Sequence, residues 1–193
     1  SVDENKEKLK KYVFIIDEIN RGEVSKILGE LFFTIDPGYR GISGSVTTQY
    51  SNMHTNQHEK FYIPENVYII GTMNDIDRSV ESIDFAMRRR FRFIEIRAKD
   101  TQHMLDLMLD DALKDEAIAR MDRLNEEILK VEDLNENYQI GASYFLKLKI
   151  LDFDELWTDY IRPLLKEYIH GLYGEYDIMK RFETAYGYIG LYS

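Results

Sequence analysis

No cysteine occurs in the 193 residues, which excludes a disulfide framework, a cysteine-ligated zinc and a thiol nucleophile. Histidine is scarce. Of the four, only His54 and His58 are close in sequence, and their i, i+4 spacing has neither a helical context nor a third ligand, so no metal centre is expected there. No stretch approaches the roughly 20 apolar residues that a membrane helix needs. The opening SVDENKEKLKK lacks the apolar middle of a signal peptide, so the expected location is cytoplasmic, with no membrane partner. There is no internal repeat and no low-complexity tract. What is present suits a folded chain: hydrophobic residues make up 44% and aromatics 13%, enough side chain to fill a core.

Net charge is −10 and unevenly spread. Residues 1–97 carry 14 basic and 15 acidic side chains, net −1, and residues 98–193 carry 11 and 20, net −9. An acidic surface repels phosphate and forgoes the counterion release that dominates non-specific DNA affinity, so any direct grip on DNA is expected from the first half or from elsewhere.

The two halves also differ in periodicity. Apolar runs at Tyr12–Ile16, Val67–Ile70 and Phe91–Ile96, separated by a helical stripe at Val24, Ile27, Leu28, Leu31 and Ile35 and by a short helix around Val80–Met87, predict a parallel sheet covered on both faces. Residues 36–62 are polar and glycine-bearing, with β-prone Val46-Thr47-Thr48 in the middle, which predicts a β-hairpin insertion. Its Tyr39, Arg40 and Thr47 suit either a pore lining in a ring or a plain surface hairpin. Beyond Lys99 the apolar spacing is helical throughout, through Met121, Ile128, Trp157, Ile161 and Leu165, which predicts an all-α bundle. The expected division is 1–98 for an α/β segment and 99–193 for a helical subdomain. Trp157, Tyr186, Tyr188 and Tyr192 are expected to pack that subdomain rather than stack on bases.

Three segments carry candidate chemistry. FIIDEINR, residues 14–21, brings adjacent carboxylates to the end of an apolar strand. This suits Asp17 to magnesium coordination, mostly through water, and Glu18 to polarising an attacking water as general base. A strand ending in a solvated acidic pair is the alternative. YIIGTMNDIDRS, residues 68–79, ends a second strand in Asn74, whose amide can donate to a phosphate oxygen and accept from a water. Asp77 and Arg78 would face a neighbouring subunit or brace the loop; an Asx turn capping the next helix is the alternative. MRRRF, residues 87–91, places three arginines at a helix end, more than capping requires. An arginine delivered across an interface to a transferring phosphoryl group contributes roughly 10³–10⁵ in rate.

FIIDEINRGEVSKILGELFFTID, FYIPENVYIIGTMNDIDRSVESIDFAMRRRFRFIEI and IGASYFL together resemble the AAA+ motors of the McrB-like family, the nucleotide-hydrolysing subunits of modification-dependent restriction systems. The likeness spans most of residues 12–170. It implies a partial AAA+ (P-loop NTPase) fold with an all-α lid. Asp17 and Glu18 would be its Walker B pair and Asn74 its sensor 1, with Arg88 and Arg89 the arginine-finger positions ahead of Arg90. Ile140–Phe145 occupies the place of the sensor 2 region, with Ala142 where relatives often carry His. The resemblance further implies Mg2+ with GTP or ATP, a hexameric ring, a McrC-type endonuclease partner, and DNA engaged through an upstream domain or the ring pore.

One motif of that family is missing. GxxxxGK[ST], whose backbone amides cradle phosphate and whose Ser/Thr joins the aspartate at magnesium, is absent, since no Gly-Lys dipeptide occurs. In the family it lies upstream of Walker B. The chain is therefore expected to be the C-terminal part of a longer protein, to bind nucleotide weakly or not at all alone, and to self-associate through an exposed sheet edge. Two other functions fit the residues: a non-catalytic module that joins rings or partners, and a MoxR-like or dynein-related protein-remodelling ATPase.

Overall fold

The computed structural model describes residues 10–56, 58–74 and 85–190, in two compact units, Ser1–Phe93 and Ile94–Ser193. In the first unit, β-branched and aromatic side chains favour extended backbone and form strands β1 (Tyr12–Ile16) and β2 (Val67–Gly71). They pair in parallel, Tyr12 opposite Val67 and Ile16 opposite Gly71. Backbone bonds continue beyond both ends, from Tyr12 N–H to Asn66 O at 2.9 Å and from Thr72 N–H to Ile16 O at 3.0 Å.

The sheet differs from the sequence expectation. Among the described residues it has two strands, and both are open to solvent, with Phe14 60% and Ile15 64% exposed. Burial of a parallel strand needs cover on both faces, and here each strand has a single neighbour. The third apolar run, Phe91–Ile96, forms no strand: among the described residues it has no ladder partner, and Ile94 and Ile96 are exposed.

The helical stripe after β1 is also divided. Helix α1 (Val24–Leu28) stops where Gly29 takes a positive φ of 49°, and a 3-10 segment continues through Ile35, whose side chain is buried. Residues 36–62 follow as a series of tight turns, and the expected hairpin is reduced to one antiparallel bridge between Val46 and Phe61. Arg40 anchors this segment. Its guanidinium donates twice to Ile35 O, at 2.8 and 3.0 Å, and once to Val67 O at 3.2 Å; burial lowers its pKa, with Asp36 opposing the shift. The side chain thus ties the insertion to the start of β2. Helix α2 (Phe85–Arg88) is the last helix of the unit among the described residues.

The second unit is all-helical. Asp110 caps helix α3 (Asp111–Ile128) by accepting from Leu113 N–H at 2.9 Å, and α3 buries Ala117, Met121, Leu124 and Ile128 at helical spacing. After α4 (Ala142–Phe145), α5 (Phe153–Leu156) passes through a π turn at Trp157–Ile161 into α6 (Arg162–Tyr168). Pro163 has no N–H to return to Asp159, and the π turn lies in the segment just ahead of it. Helix α7 (Glu175–Tyr186) packs along α3.

An aromatic stack centres this core. Trp157, fully buried, stacks on Tyr186 at 4.8 Å and on Tyr188 at 5.9 Å, while the Tyr186 hydroxyl donates to Phe153 O at 2.9 Å. The Arg120 guanidinium lies over Phe153 at 4.2 Å and over Tyr186 at 5.4 Å, and it donates to Gly187 O at 3.2 Å. Buried Asn125 clamps the chain before α4, its amide donating to Ile140 O at 2.9 Å and accepting from Ile140 N–H at 2.7 Å.

Replacing Asn125 with Leu leaves a buried N–H and a buried C=O of Ile140 without partners, a loss of about 2–4 kcal/mol. Urea unfolding followed by Trp157 fluorescence is expected to show it as a lowered midpoint. A second expectation concerns alkaline pH. Burial pushes the Tyr168 hydroxyl up to about 12 and raises that of Tyr186. Below pH 10 both folded and unfolded chains keep these protons. Between pH 10 and 12 only the folded chain does, so the stability is lost as pH rises through that window. Tyr168→Phe is expected to make the decline shallower in thermal melts taken from pH 9 to 12.

Candidate functional site

The candidate residues gather at the carboxyl ends of β1 and β2, where the parallel register brings Asp17 beside Thr72. The Thr72 hydroxyl donates to Asp17 Oδ1 and accepts from Glu18 N–H at 3.0 Å. Glu18 is the only non-glycine residue with positive φ among the described residues, at φ 51° and ψ 49°, a conformation that costs of order 1–3 kcal/mol and persists only where its surroundings fix it. Three backbone contacts do so: Glu18 N–H bonds Thr72 Oγ1 at 3.0 Å, Ile19 N–H bonds Thr72 O at 2.8 Å, and Arg21 N–H bonds Glu18 O at 2.9 Å. The Glu18 carboxylate pairs with the Arg21 guanidinium.

Gly71 and Asn20 complete the junction. A Cβ at Gly71 would stand 2.9 Å from Ile19 Cδ1, so a side chain there would displace buried Ile19 from the end of β2. Asn20 Nδ2 donates to Asn74 O at 3.0 Å, which joins the segment after β1 to the segment after β2. The sequence motifs point to Asp17, Glu18 and Asn74, and the structure brings all three to this end of the sheet. Thr72 and Asn20 carry the bonds between the segments, and neither was singled out. The signal available was a hydroxyl directly after the strand-ending Gly71, two residues before Asn74.

The arginine run separates by role. Arg90 is partly buried: it donates from Nη1 to Ala86 O at 2.7 Å, lies over the Phe32 ring at 4.3 Å, and keeps a buried Nε with no hydrogen-bond partner among the described residues. Arg88 and Arg89 are exposed, Arg88 over the Phe93 ring at 5.5 Å. Asp77 and Arg78 lie outside the described residues. In the second unit Ala142 is buried, its N–H bonded to Thr101 Oγ1 at 3.1 Å.

The donor set suits a hard cation that keeps its water. With Oδ1 of Asp17 taken by Thr72, Oδ2 remains available as an oxygen donor, and among the described residues no group of three or more His, Asp or Glu stands ready as a protein cage. Magnesium is held in this way, through one or two carboxylates together with phosphate and water.

Two family models match the chain: the AAA domain of the dynein-related subfamily over residues 3–91, and the McrB alpha-helical lid domain over residues 116–177. The class is therefore a partial AAA+ core followed by a helical lid. The Type IV methyl-directed restriction enzyme EcoKMcrB subunit of Escherichia coli (strain K12) is 40% identical over 173 residues, 82% of this chain and 37% of that protein. The Type II restriction enzyme BsuMI component YdiS of Bacillus subtilis (strain 168) is 31% identical over 88 residues, 42% of this chain and 26% of that protein. The chain belongs to the McrB-like AAA+ proteins, and it spans little more than a third of the E. coli relative's length. Among the described residues no helix is long and apolar enough to cross a membrane.

Proposed function

We propose that the chain supplies the catalytic carboxylates and the lid of a nucleoside-triphosphate-hydrolysing motor, acting on GTP or ATP, that drives restriction of modified DNA. The observation that carries this reading is the Asp17–Glu18 pair fixed against Thr72 at the carboxyl end of a parallel strand pair, where P-loop folds place their ligands. It is supported by the McrB-type lid in the same chain.

In this reading Asp17, with the Ser/Thr of a P-loop on another segment, holds Mg2+ through water. When bound, the cation neutralises charge developing on the phosphate oxygens. Glu18 takes a proton from the attacking water, and the Asn74 amide fixes that water in line with the phosphate. Arg88 and Arg89 reach the nucleotide of a neighbouring copy, so hydrolysis needs the ring, taken as a hexamer. Asp77 and Arg78 brace the same interface. The functional division is placed at 1–98 and 99–193. Working partners are further copies of the protein, a McrC-type endonuclease subunit, and DNA reached through an upstream domain or the pore, in the cytoplasm.

The family model over residues 3–91 favours one second reading, protein remodelling by a dynein-related ATPase. Stimulation of hydrolysis by methylated DNA supports restriction; stimulation by a protein substrate alone supports remodelling.

In the full-length protein Glu18→Gln is expected to keep nucleotide bound while lowering turnover by roughly 10²–10⁴, checked by phosphate release beside filter binding. Unchanged turnover would sink the assignment. Arg88→Ala and Arg89→Ala are expected to cost roughly 10³ or more in turnover at whichever position is the finger. Mixing such a subunit with Glu18→Gln subunits is then expected to restore part of the activity, because each intact site draws its arginine from a neighbour.

A further inference from the structure

Thr72 stands between the two carboxylate residues. Its hydroxyl proton goes to Asp17 Oδ1, its oxygen accepts Glu18 N–H at 3.0 Å, and its own backbone N–H and C=O bond Ile16 O and Ile19 N–H at 3.0 and 2.8 Å. One residue of β2's extension therefore makes four bonds to four successive residues of the first segment, Ile16 through Ile19. Two of these, the backbone pair, survive any side-chain change. The other two depend on the hydroxyl alone.

We infer that Thr72 is a positioning residue for hydrolysis: its hydroxyl fixes the rotation of the Asp17 carboxylate and the left-handed backbone of Glu18 together. The bond to Oδ1 occupies one of Asp17's oxygens and leaves Oδ2 as the unbonded oxygen for a hydrated cation. The bond to the Glu18 amide holds the residue whose φ of 51° sets where its carboxylate points. A carboxylate free to rotate would present either oxygen and spend part of its time out of place, which reduces rate without reducing nucleotide contacts. Both hydroxyl bonds are open to solvent, so water replaces them when the hydroxyl is removed and the fold loses little.

The inference rests on the nucleotide-hydrolysis reading and is tested in the full-length protein with Thr72→Val, Thr72→Ala and Thr72→Ser. Turnover is measured with GTP and with ATP. Binding of their fluorescent N-methylanthraniloyl derivatives is measured separately, without turnover, as Mg2+ is titrated. The expected result is a fall in kcat of about tenfold or more for Val and Ala, with nucleotide affinity in the absence of Mg2+ within about twofold of the wild type. The Mg2+ concentration for half-maximal binding is expected to rise several-fold, and Ser, which keeps the hydroxyl, to restore both values. Val and Ala at wild-type kcat and Mg2+ dependence overturn the inference, as does Ser impaired as badly as Val. Should Val fail to fold, Ala against Ser carries the same comparison. A wild-type protein that hydrolyses neither nucleotide overturns the function and this inference together; a wild-type protein that does, beside indifferent Thr72 variants, overturns the inference alone.

Discussion

The parallel register of β1 and β2 is the constraint on which the site depends. With Ile16 opposite Gly71, the residues just beyond the strands face one another in a fixed order, Asp17 and Glu18 against Thr72, Asn20 against Asn74. A slip of one residue would move every strand side chain to the other face. It would also set Thr72 against a different backbone atom and deprive Glu18 of the contacts that hold it at positive φ. The glycine at the end of β2 belongs to the same constraint, because Ile19 occupies the volume that a side chain at position 71 would need.

Glu18 illustrates how a site stores what it needs for chemistry. Its backbone is in a conformation that non-glycine residues seldom adopt, and its carboxylate is engaged by Arg21. Both features follow from the tight turn Ile19–Arg21, which closes through Arg21 N–H to Glu18 O. In the proposed mechanism the carboxylate leaves Arg21 to meet water. Because that pair is largely solvent-exposed, it is worth little on its own and poses no large barrier to the exchange. The backbone, held by bonds to Thr72, stays where it is while the side chain moves.

Much of this was legible in the sequence for physical reasons that can be named. The strands β1 and β2 are dense in β-branched and aromatic residues, and the lid's apolar stripe from Met121 to Ile128 repeats at helical spacing, so local pattern and tertiary structure agree. The run Phe91–Ile96 has the same strand composition and yet forms none, because a strand needs a ladder partner and composition cannot supply one. The stripe from Val24 to Ile35 reads as one helix, but Gly29 ends it by taking positive φ. Arg40, grouped by sequence with a surface insertion, turns inward to three backbone bonds that no motif announces. Thr72 is inconspicuous in the sequence for a similar reason: its hydroxyl bonds join segments 54 and 55 residues apart.

Charge assigns different work to the two units. The acidic second half buries its order in an apolar and aromatic core, with Arg120 drawn over Phe153 and Tyr186 and Arg181 paired to Glu127 at 2.6 Å. Several of its few cations are therefore spent on internal contacts rather than offered to a polyanion, which reinforces the repulsion expected from its net charge of −9. In the first half Arg90 is committed to Ala86 and Phe32, whereas Arg88 and Arg89 remain at the surface. In the proposed mechanism Arg88 and Arg89 reach a neighbour's phosphate from a helix end that Arg90 anchors. In the same mechanism the lid contributes a packed apolar core, and the chemistry falls to the strand ends of the first unit.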